Sequence, residues 1–205
     1  MQEEHIFFYS RDLRLEALFA KGHSEKGVVV THPHPLYGGD MYNNVVAAIV
    51  TAYQDSGYTT LRFNFRGVGG SHGTHDEGRG EQEDVKAALA YLKSKGIQDL
   101  HLGGYSFGAW VNALALNQFS DDIATMVMVS PPVAFLDFSF LKYSEKIKLI
   151  ISGERDDIAP PSIIKQMKDT WNPGAAFYVI EGADHFYWGK EKEIIKMIKE
   201  YLQRD

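Results

Sequence analysis

Leu102-Gly103-Gly104-Tyr105-Ser106-Phe107-Gly108-Ala109 is the stretch whose reading decides the fold. It has the character of a buried strand end, a tight turn between glycines, and the first turn of an apolar helix. Asp99-Leu-His-Leu leads in, and Ala109-Trp-Val-Asn-Ala-Leu-Ala-Leu runs on. In the pattern Gly104-x-Ser106-x-Gly108, a cramped strand-to-helix turn pushes a serine hydroxyl out of the sheet. Glycine is required on both sides because a Cβ there would strike the neighbouring strand or helix. The free N–H groups of the helix N-terminus face the place where negative charge would develop. With 19 glycines in the chain, the same pattern can also arise as an ordinary turn of small residues, so its surroundings must decide.

Upstream, His5–Tyr9 and Arg14–Phe19 read as strands of an edge hairpin joined at Ser10-Arg11-Asp12. Gly27–His32 is a continuous apolar run, the mark of a strand covered on both faces. Pro33-His34-Pro35-Leu36-Tyr37-Gly38-Gly39 follows as a rigid loop, expected to hold neither helix nor strand. Asn44–Tyr53 places Val45, Val46, Ile49 and Tyr53 on one helical face and ends at Gly57. Tyr58–Phe65 is β-branched and aromatic, hence a strand. The glycine-rich loop Arg66–Gly73 continues polar through Gly80, and Glu81–Lys95 is a helix with acids in its first turn.

Downstream, Ile123–Val129, Ile147–Ile151 and Ala175–Ile180 read as strands, and Pro161–Thr170 and Lys190–Leu202 as helices. This alternation predicts an α/β fold, a mostly parallel sheet of about eight strands with helices on both faces. In such folds the chemistry lies in loops outside the C-terminal ends of the strands.

No linker, repeat or low-complexity run divides the chain, so residues 1–205 are expected to form one domain. A net charge of −6 argues against nucleic acid as a partner, because phosphate binding needs concentrated Lys and Arg. The lysines of the last helix alternate with Glu191, Glu193 and Glu200, the pattern of a solvated face. Without cysteine there are no disulfides and no catalytic thiol. With no basic leader and no apolar run of membrane-spanning length, the chain is expected to be cytoplasmic and without a membrane partner. Monomer and homodimer both stay open.

A serine hydroxyl needs a base to take its proton, usually a histidine held by a carboxylate. Of eight histidines, only His185, in Gly182-Ala-Asp-His-Phe186, follows the last strand on the edge that carries Ser106. The carboxylate comes from Gly153-Glu-Arg-Asp156-Asp157-Ile-Ala-Pro160, with Asp156 the first candidate and Asp157 the alternative. Either aspartate could instead cap the helix that begins at Pro160-Pro161. His32-x-His34 with His72, His75 or Asp76 raises a zinc site, but the two prolines stiffen the pair and no third ligand has persuasive spacing. Gly67-Val-Gly-Gly-Ser departs from a phosphate loop and is read as turn geometry. No metal and no cofactor are expected.

The order Ser106, Asp156, His185 on strand-to-helix turns is that of the α/β-hydrolase fold. His32-Pro-His-Pro-Leu-Tyr-Gly-Gly39, Arg62-Phe-Asn-Phe-Arg-Gly-Val-Gly69 and Gly103-Gly-Tyr-Ser-Phe-Gly108 together resemble the small bacterial α/β-hydrolases related to dienelactone hydrolases. Those enzymes carry a cysteine nucleophile, where this chain has Ser106. Relatives of the fold that use an aspartate at this turn, the haloalkane dehalogenases and epoxide hydrolases, are disfavoured for the same reason.

The resemblance implies an oxyanion hole made by the N–H of Phe107 and one from the loop after the third strand. Pro35 has no N–H, so Leu36 is the first choice there and Tyr37 the second. Only Ser130–Lys146 separates two core strands where lidded relatives insert a cap, too short for a cap domain and long enough for a small flap. The site is therefore expected to be open and lined by Leu36, Tyr37, Tyr105, Phe107, Phe135, Phe186 and Trp188. Together these features imply a lidless serine hydrolase of carboxylic esters or thioesters with short or bulky acyl groups. The alternatives are an amidase or peptidase, and a non-catalytic receptor or scaffold on the same fold.

Overall fold

The computed structural model describes residues 1–204 and contains one eight-stranded sheet in the order β1-β2-β4-β3-β5-β6-β7-β8. Strands β1 (Glu4–Ser10), β2 (Leu13–Ala20) and β4 (Thr59–Phe63) pair antiparallel; β3 (Lys26–Thr31) pairs parallel with β4. From β3 the sheet continues in parallel through β5 (Asp99–Tyr105), β6 (Thr125–Val129), β7 (Ile147–Gly153) and β8 (Ala176–Ile180). Period-two alternation sends successive side chains to opposite faces. Val29, Met126, Met128 and Ile150 go to one core, and Val28, Val30, Val127, Val129, Leu149 and Ile151 to the other.

Helices α2 (Arg79–Ser94), α3 (Phe107–Phe119) and α4 (Pro161–Trp171) cover the first core. Helices α1 (Asn44–Asp55) and α5 (Glu191–Leu202) cover the second. The chain is thus the α/β sandwich that the alternation predicts.

Several boundaries move for identifiable reasons. The strand expected over Tyr58–Phe65 stops at Phe63: Asn64 N–H still reaches the Glu16 carbonyl of β2, but Phe65 N–H leaves the sheet for His32 Nε2. The strand expected from Ile123 starts at Thr125, after a 3₁₀ turn over Ser120–Asp122. The loop after β3, expected to hold no helix, contains a 3₁₀ turn over Pro35–Tyr37. Pro35 suits the first position of that turn, and His34 Nδ1 accepts the Leu36 N–H at 3.2 Å.

From β3 the chain steps to β4 on one side, then crosses to β5 on the other, so the loops after β3 and β5 become neighbours. Their approach is close. A Cβ on Gly108 would lie 2.6 Å from the carbonyl oxygen of Thr31, at the end of β3. His32 ties the β3 loop to the β4 loop. The Phe65 amide can only donate, so Nε2 must accept, and the proton sits on Nδ1, which donates to the Pro33 carbonyl at 2.7 Å. Burial, helped by the neighbouring His34, pushes this imidazole down to about 4 despite its bond to Pro33.

Two predictions follow from these contacts. Between pH 6.5 and about 4 the unfolded chain binds a proton at His32 that the folded chain refuses, so stability falls as pH falls through that window. The loss attributable to this group is about 3 kcal/mol at most. In urea titrations across that range, His32→Gln should flatten the slope of stability against pH by one proton; an unchanged slope would put the linked proton elsewhere. Gly108→Ala should lower the unfolding free energy by about 1–3 kcal/mol, because the contacted atom is strand backbone that cannot rotate away. A variant as stable as the parent would mean that β3 and α3 are not in contact there.

Candidate active site

Ser106 stands between β5 and α3 with φ 53° and ψ −122°, a conformation that L-residues rarely adopt. Three hydrogen bonds hold it: its N–H donates to the Val129 carbonyl at 3.0 Å, and its carbonyl accepts from Ala109 and Trp110. The glycines at 104 and 108 are there for contact, since a Cβ at 104 would meet Ala109 backbone at 2.7 Å. The result aims the Ser106 hydroxyl away from the sheet, 2.9 Å from His185 Nε2.

His185 Nδ1 lies 3.0 and 2.9 Å from the two carboxylate oxygens of Asp156. Because an ionised carboxylate only accepts, Nδ1 carries the proton and Nε2 is left to accept from Ser106. Asp156 is buried and also accepts from Ile158 N–H at 3.0 Å, Ala159 N–H at 2.7 Å and Ser130 Oγ at 2.6 Å. Burial pushes its carboxyl up, but the bond to and charge of His185, with Ser130 and Ala159, outweigh that and hold it below the ordinary carboxylate range. Asp157 is exposed and takes no part. Neither aspartate caps α4, whose first turn follows Pro160 without a side-chain cap.

Two side chains expected to line the pocket, Tyr105 and Phe107, and one N–H expected in the oxyanion hole, that of Tyr37, have other work. Tyr105 is buried, donates from its hydroxyl to the His185 carbonyl at 2.6 Å, and packs its ring beside the imidazole. It is a support under His185 rather than a wall of the pocket. The Phe107 side chain is core, edge-on to Phe65 and tilted against Trp110, while its backbone N–H heads α3. Tyr37 N–H is committed to the His34 carbonyl at 3.1 Å, which removes it as a free donor. Leu36 N–H has only the long bond to His34 Nδ1, and the His34 ring rests on Phe107 at 4.7 Å between centroids.

Leu36, Tyr37, Phe135, Phe186 and Trp188 are all exposed; of these, Phe186 lies edge-on to His185 and Tyr37 edge-on to His34, and with Leu36 they give the site an apolar rim. Ser130–Lys146 is no flap: Phe138 and Leu141 are buried, and Trp110 Nε1 donates to the Asp137 carbonyl at 2.8 Å. A cleft of about 480 Å³ opens between the two glycine-bearing loops, lined among others by Leu36, Asp40, Gly69, Thr74 and His75. Behind it, His75 Nδ1 lies 2.9 Å from the buried carboxylate of Glu81. His32 has both ring nitrogens engaged, and among the described residues no three His, Asp or Glu side chains are grouped to hold a metal ion. The loop Gly67–Ser71 receives a carboxylate from within the chain, Gly70 N–H donating to Glu16 at 2.7 Å. No helix of the described residues is long and apolar enough to cross a membrane.

Sequence reasoning missed Ser130 and Tyr187, whose hydroxyls meet at 2.6 Å behind Asp156. Each follows a strand, β6 and β8, which is the one signal that could have drawn attention to them.

Comparison with known proteins agrees with this architecture. The profile of the α/β hydrolase fold family matches residues 34–147, more than half of the chain. Protein RP471 of Rickettsia prowazekii, uncharacterised, is 38% identical over 209 residues, spanning 96% of this chain and 87% of that protein. An α/β serine hydrolase homologue from Coxiella burnetii superposes with a TM-score of 0.90 at 32% identity, covering 98% of this chain and 97% of that one. A serine hydrolase without a lid from Xanthomonas campestris superposes with a TM-score of 0.89 at 25% identity, covering 100% and 95%. On the fold, the matched profile and these relatives, the chain belongs to the α/β-hydrolase fold family, among its small serine hydrolase homologues that lack a lid.

Proposed function

We propose that this protein is a serine hydrolase that cleaves the carboxylic ester or thioester of a small molecule through an acyl-enzyme. The observation that carries the proposal is the unbroken line from Ser106 Oγ to His185 Nε2 at 2.9 Å and from Nδ1 to Asp156 at 2.9 Å. As Oγ attacks the carbonyl carbon, Nε2 takes its proton, and Asp156 stabilises the imidazolium that forms. The tetrahedral intermediate collapses when Nε2 returns the proton to the departing alkoxide or thiolate, leaving the acyl group on Ser106. Water then enters, Nε2 takes its proton, and the acid is released by the same path in reverse.

The developing oxyanion is held by Phe107 N–H at the head of α3, with Leu36 N–H as second donor once it leaves His34 Nδ1. Giving up a 3.2 Å bond to a neutral nitrogen for one to an oxyanion is favourable, because charge-assisted bonds are roughly twice as strong. The apolar rim supports neutral esters, offering contact to the acyl or alcohol group without demanding a charge.

Ser106→Ala should lower p-nitrophenyl acetate hydrolysis by a factor of about 10⁴ or more and abolish labelling by a fluorophosphonate probe, with thermal unfolding nearly unchanged. Retained turnover would remove the serine from the reaction. Asp156→Asn should cost about 10⁴ in kcat by forcing the wrong imidazole tautomer, whereas Asp157→Asn leaves kcat near the parent value. Equal losses in the two variants would reassign the acid.

A further inference from the structure

The hydroxyls of Ser130 and Tyr187 are buried, titratable or hydrogen-bonding groups that the reaction above does not use. Ser130 Oγ lies 2.6 Å from Asp156 Oδ2 and 2.6 Å from the Tyr187 hydroxyl. The directions of these bonds are fixed by chemistry. Asp156 Oδ2 can only accept, so the single Ser130 proton goes to it; the Ser130 oxygen must then accept, and the Tyr187 O–H donates. The Gly153 backbone adds a hydrogen bond to the Tyr187 oxygen, and burial, foremost, keeps the phenol protonated with the Asp156 charge acting the same way.

Backbone strain supplies a second observation. Among the described residues five non-glycine positions have positive φ, and three of them are Ser106, Ser130 (φ 46°) and Tyr187 (φ 56°). A left-handed tyrosine is costly, and such strain persists where the surroundings hold it for a purpose. Here one strained turn, after β6, brings the Ser130 hydroxyl to the Asp156 carboxylate, and the other, after β8, brings the Tyr187 hydroxyl to Ser130.

We propose that Tyr187 and Ser130 form a positioning relay, Tyr187 O–H to Ser130 O–H to Asp156, that sets how strongly Asp156 holds the His185 imidazolium. The inference rests on the hydrolase reading for its kinetic part only. Neither residue touches substrate; both act through Asp156. The Ser130 donor draws charge away from Oδ2, and Tyr187 strengthens that donor by polarising it. Besides Ser106, the groups facing the Asp156–His185 pair are Tyr105 from β5, and Asp184 and Tyr187 from the loop after β8.

The test compares Tyr187→Phe, Ser130→Ala and the double variant. Without the relay more carboxylate charge remains for the imidazolium, so the acid limb of kcat/KM against pH should move to higher pH, further in Ser130→Ala than in Tyr187→Phe. kcat should fall about tenfold in Ser130→Ala with KM unchanged, as the aim of the imidazole loosens. Since Tyr187 acts only through Ser130, the double variant should match Ser130→Ala alone.

Additive losses with an unmoved acid limb would reduce both residues to packing and overturn the proposal. Should Ser130→Ala fail to fold, Tyr187→Phe keeps the ring and decides alone: an unmoved limb overturns the relay. The low-field proton resonance of His185 Nδ1–H gives a readout independent of turnover. If the wild type hydrolyses no ester and takes no fluorophosphonate, the hydrolase reading fails, yet a resonance shifted by Tyr187→Phe still supports the relay and an unshifted one refutes it.

Discussion

The contact between the end of β3 and the first turn of α3 is the constraint on which the rest of the site depends. With no side chain at Gly108, helix backbone comes down onto the Thr31 carbonyl; with none at Gly104, β5 passes beneath Ala109. A helix seated so close to its own strand leaves one residue to make the whole turn, and Ser106 takes a conformation costing on the order of 1–3 kcal/mol. The strain has two products. The hydroxyl is lifted off the sheet toward His185, and the N–H of Phe107 heads a helix whose first donors have no intrahelical partner. The crossover that makes β3 and β5 neighbours brings Leu36 to the same place.

The second half of the site solves an electrostatic problem. Taking a carboxylate such as Asp156 out of water costs several kcal/mol. Four donors meet it: His185 Nδ1, Ser130 Oγ and the amides of Ile158 and Ala159. At about 1.5–3 kcal/mol for a hydrogen bond to a charged group, the donors together win, and the carboxyl stays ionised while buried. Two of these donors come from the turn of Asp156 itself, but the other two come from the ends of β6 and β8. The site is therefore assembled by the order of the sheet, in which the loops after β5, β6, β7 and β8 lie side by side.

That division explains what could be read from the chain before folding it. Strand and helix alternation, the small residues around Ser106 and the order serine, acid, histidine are local or ordinal features, and a sequence carries them openly. The choice between Asp156 and Asp157 turns on which way one turn faces: the amides of Ile158 and Ala159 hold Asp156 inward beside His185, while Asp157 is exposed. Tyr105 looked like a pocket wall because it adjoins Ser106, yet strand alternation turns it under the loop toward the His185 carbonyl. Sequence ranks Leu36 ahead of Tyr37 as a donor without a physical ground for the order; the 3₁₀ turn supplies one by engaging Tyr37 N–H with a carbonyl and Leu36 N–H with an imidazole nitrogen. Ser130 and Tyr187 belong to no local pattern, because their meaning arises from two strand ends that are 57 residues apart.

An open site with buried machinery has a consequence for the proposed reaction. Ser106 and His185 are each 7% exposed and Asp156 2%, so protein surrounds them from below and from the sides. Among the described residues, Trp110 and the buried Phe138 and Leu141 pin down the segment Ser130–Lys146. Electrostatic stabilisation of an oxyanion strengthens as water leaves. Without a lid, the water over Ser106 must be displaced by the substrate itself, by whatever part of it settles on Leu36, Tyr37 and Phe186. Acyl or alcohol groups large enough to span that rim therefore gain in the transition state as well as in binding, and the preference should appear in kcat as well as in KM.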